Sequence, residues 1–132
     1  MDFDLGREIG AEEGFFIQRL TLYLPNKDKN GLILPNTKEW IDEARELLSQ
    51  IGGGATAYPP ADGNWIDEAG VNLWEETRII YCFVDPDRLR TKSGLLRDFL
   101  HRFGRETNQG EVVVEFDERF WRIKRFDVPN GV

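Results

Sequence analysis

The stretch TRIIYCFV, residues 77–84, decides the fold, because it is apolar on both faces of a β-strand. Successive side chains of a strand point to opposite faces of the sheet. One face carries Ile80, Cys82 and Val84, and the other carries Ile79, Tyr81 and Phe83. A strand with two apolar faces is typical of the centre of a sheet, so we predict a central strand that begins near residue 73.

Three more strands are predicted around this one. The longest is FFIQRLTLYL, residues 15–24, whose side chains alternate between two faces. One face carries Phe16, Leu20, Leu22 and Leu24, and the other carries Ile17, Arg19, Thr21 and Tyr23. A short strand over 55–58 precedes two prolines, which cannot donate to a ladder and favour a sheet edge. The last strand is EVVVEF, residues 111–116.

Two helices are predicted between these strands. Over residues 37–51 the apolar residues recur at the spacing of one helical face, and Asn36 stands at the N-cap position. The second helix begins after Asp85, with Pro86 at its first position. Its apolar stripe leaves His101 on the solvent side. The apolar stripe of the first helix is Trp40, Ile41, Ala44, Leu47, Leu48 and Ile51.

The order of elements is strand, helix, strand, strand, helix, strand, which is the split β-α-β order of ferredoxin-like domains. We therefore predict an α+β fold with a four-stranded antiparallel sheet and two helices on one face. The strand over 15–24 and the strand containing TRIIYCFV take the central places. Along the chain, the composition indicates an acidic arm over 1–14, the ferredoxin-like domain over 15–117 and a basic, aromatic tail over 118–132.

Composition and charge exclude several classes of protein. The chain has 132 residues, 40% of them hydrophobic, and a formal net charge of −7, which fits one ordered domain. No apolar run is long enough for a bilayer, and the N-terminal residues lack the features of a signal peptide, so we expect a cytoplasmic protein. One cysteine and one histidine are too few for a disulfide or a structural zinc site, and no cofactor is expected.

A pattern of glycine, threonine and tryptophan runs through the middle of the chain. Its residues are Trp40, Gly54 with Thr56, Gly63 with Trp65, then Gly70 and Glu75 or Glu76. In this pattern the chain resembles small bacterial domains of unknown function, some of them assigned as lipoproteins. The resemblance covers about residues 15–116. It implies the same order of strands and helices, and it implies no activity.

The sheet face opposite the helices has no predicted element to cover it. Its residues are Ile17, Arg19, Thr21, Tyr23, Ile79, Tyr81, Phe83, Val113 and Glu115. A contiguous surface with so many apolar and aromatic residues marks a binding site. As partner-binding residues we select Arg19, Tyr23, Tyr81, Phe83 and Glu115. The arm, the tail, a second copy of the chain and a ligand are the four candidate occupants.

Candidates for acid-base chemistry are few. His101 is the only histidine, and histidine is the residue type that most often serves as a base near neutral pH. Its predicted surface position between arginines favours a surface histidine without a catalytic role. Glu75 and Glu76 bracket a hairpin with other carboxylates, which could hold a cation or act as acid and base, although a solvated turn is the favoured interpretation. Cys82 lies in the most apolar strand, which predicts a core thiol with a raised pKa.

Basic residues cluster in the second helix and the tail. The predicted basic patch consists of Arg88, Arg90, Arg97, Arg102 and Arg105. Basic and aromatic residues together suit single-stranded nucleic acid, but the overall negative charge repels polyanions and argues against such a partner. We expect the acidic first helix and arm to meet the basic second helix and tail in self-association or in a complex.

From the sequence we favour a non-catalytic interaction domain that binds a protein partner, or forms a homodimer, through its helix-free sheet face. Three alternatives stay open. One is an acidic inhibitor of a basic protein, such as an antitoxin or immunity protein. Another is a small enzyme with a pocket at the sheet face or the hairpin carboxylates. The last is a weak nucleic-acid binder that uses the second helix and the tail.

Overall fold

The apolar stretch 77–84 contributes the end of the longest strand in the computed structural model, which describes residues 2–129. The helices are α1 (Leu5–Ile9), α2 (Thr37–Gly52) and α3 (Pro86–Glu106). The strands are β1 (Arg19–Pro25), β2 (Thr56–Ala57), β3 (Ala61–Ile66), β4 (Asn72–Phe83), β5 (Val112–Phe116) and β6 (Arg119–Ile123). No helix within the described residues is long and apolar enough to cross a membrane.

All strand pairings of the sheet are antiparallel, and the strand order is β2-β4-β1-β5-β6, with β3 also paired to β4. The α+β class is confirmed, and β1 and β4 lie inside the sheet as predicted. The four-stranded ferredoxin-like layout is not confirmed, because the sheet has six strands. The additional strands come from residues 61–66, which pair with β4 beyond the two prolines, and from residues 119–123, which we predicted as tail.

The hydrophobic core lies between one face of the sheet and the two long helices. Its residues from the sheet include Leu20, Leu22, Leu24, Ile80, Cys82, Val112 and Val114, all buried. The whole predicted stripe of α2 is buried against them, from Trp40 to Ile51. Trp40 also packs edge-on against Phe103 of α3, with ring centroids 5.2 Å apart. Burial of these aliphatic and aromatic side chains is the main stabilising contribution in a domain of this kind.

The predicted start of β1 is wrong, whereas both predicted helix caps are confirmed. Asn36 is the N-cap of α2, as predicted, although its side chain makes no capping hydrogen bond. Asp85 accepts from two backbone amides of α3 and confirms its predicted cap. Residues 15–18 lie outside β1, and Phe16 is fully exposed at 106%. Helix α3 runs without a break from Pro86 to Glu106, through Gly94.

The prediction that His101 faces solvent is also wrong, because the chain after β6 folds back over α3. His101 is only 8% exposed, and its Nδ1 accepts a hydrogen bond of 2.8 Å from the backbone N–H of Asp127. The ring of Phe126 lies directly on Gly104. Arg97 pairs with the Asp127 carboxylate at 2.8 Å. The last described residues therefore cover α3 and leave the opposite face of the sheet free.

Candidate functional site

The helix-free face of the sheet carries a continuous set of polar and aromatic side chains from three neighbouring strands. The register places Arg19 of β1 opposite Phe83 of β4. One step along, Thr21 lies between Tyr81 of β4 and Glu115 of β5. The next row pairs Tyr23 with Ile79 and Val113. The pairing therefore brings all five predicted partner-binding residues onto one surface.

Tyr23 and Glu115 form the closest polar contact on this face. The Tyr23 hydroxyl donates to Glu115 Oε1 at 2.6 Å, a length typical of a hydrogen bond to a charged acceptor. Burial, followed by this hydrogen bond and the Glu115 charge, raises the pKa of Tyr23 to about 12. Tyr23 therefore stays protonated at neutral pH and holds the Glu115 carboxylate in place.

Arg19 is held by two tyrosines rather than by a carboxylate. Its guanidinium lies over the ring of Tyr81, 3.6 Å from the centroid, which is a cation-π contact. It also donates to the hydroxyl of Tyr58 at 3.1 Å. Among residues 2–129, no carboxylate lies within ion-pair distance of Arg19. The charge is therefore oriented by aromatic rings while remaining available to an anion.

Tyr58 is a site residue that the sequence analysis missed. It follows β2, immediately before two prolines, and its backbone N–H donates to Ile79 O at 2.9 Å. This contact with β4 brings the side chain beside Tyr81, with ring centroids 5.6 Å apart. The predicted strand over 55–58 included Tyr58, but only its pairing with β4 shows which face it joins.

An open cleft of about 560 Å³ lies over these side chains. Its lining combines acidic, basic, phenolic and apolar groups. The lining residues are Ile17, Gln18, Arg19, Thr21, Tyr23, Tyr58, Ile79, Glu115, Asp117 and Glu118. We call this space the charged cleft. It can bind a ligand that carries both a negative and a positive group.

The predicted acid-base candidates lie outside the charged cleft. His101 is buried under the C-terminal segment on the helix side. Glu75 lies in β4 opposite Gly63, and burial raises its pKa. Glu76, its exposed neighbour, faces Asp62 across the ladder. Within the described residues no group of acidic, histidine or cysteine side chains is arranged to hold a metal ion.

Cys82 is a core residue, as predicted from its apolar strand. Its side chain is 2% exposed, and burial raises the pKa of the thiol to about 11. Only the thiolate form of cysteine is a strong nucleophile. Cys82 therefore contributes packing beneath the site rather than chemistry within it.

The arginines of the predicted basic patch make contacts within the chain. Arg97 pairs with Asp127, and Arg105 donates to the carbonyl of the same residue. Arg102 forms a two-point pair with Glu43 of α2, one bond of which is 3.1 Å long. Arg88 and Arg90, at the start of α3, are exposed. Acidic α2 and basic α3 thus meet each other inside the fold.

Comparison with known proteins finds similarity of structure only. No family model matches the chain, and no curated protein matches it. A solved phage SAM lyase in complex with S-methyl-5′-thioadenosine has a TM-score of 0.60 and 12% identity, over 87% of this chain and 95% of that chain. A phage SAM lyase in the apo state has a TM-score of 0.57 and 13% identity, over 85% and 92% of the two chains.

At this level of identity the similarity shows a shared fold. The two neighbours are an enzyme with and without a small molecule. They give no support to the non-catalytic role that we favoured from the sequence. The binding of a protein partner or a second copy remains a prediction.

Proposed function

We propose that the protein is an enzyme that binds S-adenosylmethionine in the charged cleft and releases S-methyl-5′-thioadenosine. The observation that carries this proposal is the presence of two opposite charges, Arg19 and Glu115, in the lining of one cleft. Neither charge forms an ion pair with a described residue. The similarity in fold to phage SAM lyase supports the choice of substrate.

The charges of the substrate match those of the cleft. The methionine end of S-adenosylmethionine carries a carboxylate, an ammonium group and a sulfonium. Arg19 presents donors suited to a carboxylate in a fixed orientation, because Tyr81 and Tyr58 hold its guanidinium. Glu115 presents a carboxylate to the positive groups. A substrate held at both ends is positioned for reaction before any bond changes.

The proposed reaction breaks the bond between the sulfonium sulfur and the γ-carbon of the methionine end. The electron pair of that bond leaves with sulfur, which becomes the neutral thioether of S-methyl-5′-thioadenosine. The γ-carbon then forms a new bond in one of two ways. Either a β-proton passes to a carboxylate and a double bond forms, or the substrate's own carboxylate oxygen bonds to the γ-carbon and closes a lactone. Of the three carboxylates that line the charged cleft, Glu115 is the one that accepts a hydrogen bond from Tyr23, and we assign it to the first route.

The hydrogen bond from Tyr23 gives Glu115 a fixed position. Because the pKa of Tyr23 is raised to about 12, its hydroxyl stays a donor at any physiological pH. A carboxylate held in a fixed position is placed to accept the β-proton, because a general base must lie within hydrogen-bond reach of the proton that it takes. Tyr23 is therefore a positioning residue, and Glu115 is the catalytic residue of the proposed site.

The proposal is tested by incubating the purified protein with S-adenosylmethionine and measuring S-methyl-5′-thioadenosine by chromatography. We expect release by the wild type and a loss of about a hundredfold in Glu115→Gln, the size typical of removing one charge-stabilising or proton-accepting group. Glu46→Gln is the matched control, because Glu46 is an exposed carboxylate on α2. Circular dichroism checks that each variant is folded.

Three results would contradict the proposed function. The first is a folded wild type that releases no S-methyl-5′-thioadenosine. The second is a Glu115→Gln variant as fast as the wild type. The third is an equal loss in Glu46→Gln. Proton release in unbuffered solution separates the two chemical routes, because β-elimination yields one proton per turnover and lactone formation yields none.

Self-association is a second candidate role, favoured by the exposed aromatic residues of the edge strand. Phe120 and Trp121 of β6 are 56% and 53% exposed, and an edge strand offers unpaired backbone groups to another chain. Sedimentation at micromolar concentration tests this role. A homodimer is expected to dissociate in Trp121→Lys, and a monomeric wild type would exclude the role.

A further inference from the structure

A second cleft of about 670 Å³ opens beside the charged cleft. Its lining includes three phenylalanines, Phe15, Phe16 and Phe83, and on the helix side Val84, Asp85 and Pro86. The two clefts share three lining residues, Ile17, Gln18 and Asp117. We call the second space the aromatic cleft. Because three residues line both clefts, the clefts adjoin, and a ligand long enough to span the shared residues reaches both.

The three phenylalanines are exposed to an extent unusual for their size. Phe15 and Phe16 are 74% and 106% exposed, and Phe83 is 48% exposed although β4 lies inside the sheet. An exposed cluster of large apolar side chains is typical of a binding site. Aromatic rings in such a cluster favour a flat, aromatic group as the occupant, since stacking on rings suits any nucleobase.

A series of aromatic contacts connects the two clefts. The ring of Tyr81, which lies beneath the Arg19 guanidinium, packs edge-on against Phe83 with ring centroids 5.7 Å apart. The backbone below Phe83 is fixed by close packing, since a Cβ on Gly52 of α2 would lie 2.4 Å from the Phe83 carbonyl oxygen. Phe83 is therefore a rigid wall at a set distance from the charged groups.

We propose that the aromatic cleft takes the purine base of the substrate, with Phe83 as its stacking platform, while the charged cleft takes the methionine end. The inference rests on the proposed function and extends it by assigning each end of the ligand to a cleft. Continuity of the two clefts and the contrast between their linings select a ligand that is aromatic at one end and zwitterionic at the other.

Asp117 lies where the two clefts meet, which is where such a ligand has its ribose. A carboxylate accepts hydrogen bonds from ribose hydroxyls, as in dinucleotide sites. Asp117 has a φ of 54° in the turn between β5 and β6, a conformation that asparagine tolerates as well as aspartate. Asp117→Asn therefore removes the charge while keeping the turn.

The test measures the affinity of S-methyl-5′-thioadenosine and of L-methionine separately by calorimetry. In Phe83→Leu we expect the affinity for S-methyl-5′-thioadenosine to fall about tenfold, which corresponds to about 1.4 kcal/mol, and that for L-methionine to stay unchanged. Asp117→Asn is expected to weaken the binding of S-methyl-5′-thioadenosine and of adenosine, but not the binding of adenine. Phe3→Ala is the matched control, because Phe3 is 77% exposed and lies outside both clefts.

Unchanged binding of S-methyl-5′-thioadenosine in Phe83→Leu, or no binding of it to the wild type, overturns this assignment. Cleavage of S-adenosylmethionine with no dependence on Phe83 overturns the assignment and leaves the proposed function standing. Binding of S-methyl-5′-thioadenosine that depends on Phe83, without any cleavage of S-adenosylmethionine, supports the assignment and contradicts the proposed function. The two failures are therefore distinguishable.

Discussion

Replacing Gly52 by alanine is expected to destabilise the protein through one close contact beside the site. Gly52 is the last residue of α2, and a Cβ there would lie 2.4 Å from the carbonyl oxygen of Phe83 and 2.8 Å from the Cβ of Cys82. Both neighbours belong to β4, which is held by strands on both sides. The backbone of an interior strand cannot yield to relieve the overlap, so α2 must move.

The expected cost follows from two opposing effects. Overpacking of a close contact lowers the free energy of unfolding by about 1–3 kcal/mol. Alanine in place of glycine in a helix raises it by up to about 1 kcal/mol. We therefore expect Gly52→Ala to lower the free energy of unfolding by about 1–2 kcal/mol. For a domain of this size that corresponds to a fall in Tm of about 3–10 °C. Thermal unfolding followed by circular dichroism measures it.

Gly94→Ala is the matched control for this effect. Gly94 lies inside α3, and a Cβ there would meet no side chain or neighbouring element within 4 Å, so only the gain in helix propensity applies. We expect Gly94→Ala to raise the free energy of unfolding by about 0.5–1 kcal/mol. A Gly52→Ala variant as stable as Gly94→Ala would show that α2 does not pack on β4 in the way described.

Three further predictions concern the contacts that hold the helices and the core. Arg102→Ala removes the two-point pair with Glu43, and a double-mutant cycle in urea is expected to give a coupling of about 0.2–1 kcal/mol for this partly exposed pair; zero coupling would contradict the contact. His101→Ala leaves the Asp127 N–H without its acceptor, so trypsin should remove the C-terminal segment faster than in the wild type, and equal rates would refute the packing. Burial raises the pKa of the Cys82 thiol from 9.0 to about 11. The contribution of the buried thiol to stability is therefore full below pH 9 and is lost as the pH rises towards 11. A disulfide reagent at pH 8 should label Cys82 only after the protein unfolds.

The site residues on the central strands could be predicted because strand periodicity fixes both faces at once. Leu20, Leu22 and Ile80 have to enter the core, and this leaves Arg19, Tyr23 and their neighbours on the opposite face. The hydrophobic pattern thus specified which side chains share the helix-free face. The sequence did not reveal that the same surface forms a cleft, since Tyr58 joins it through pairing beyond the end of a two-residue strand.

Errors in the prediction arose where distant segments decide the outcome. Phe15 and Phe16 continue the alternation of β1, yet they lie beyond the last pair of the ladder, Arg19 with Phe83. The hairpin that begins β6 turns at Asp117 and Glu118, both with positive φ, and this dipeptide lacks the glycine that usually signals such a turn. The burial of His101 depends on that turn, because it directs the following chain back over α3.

Nuclear magnetic resonance titration with S-methyl-5′-thioadenosine is the measurement that tests the central claim most directly. The central claim is that the helix-free face of β1, β4 and β5 is a small-molecule site. We predict amide shift changes concentrated at Arg19, Tyr23, Phe83 and Glu115, and weaker changes at all four positions in Phe83→Leu at the same ligand concentration. Saturable changes confined to α2 and α3, or no changes at millimolar ligand, would contradict it.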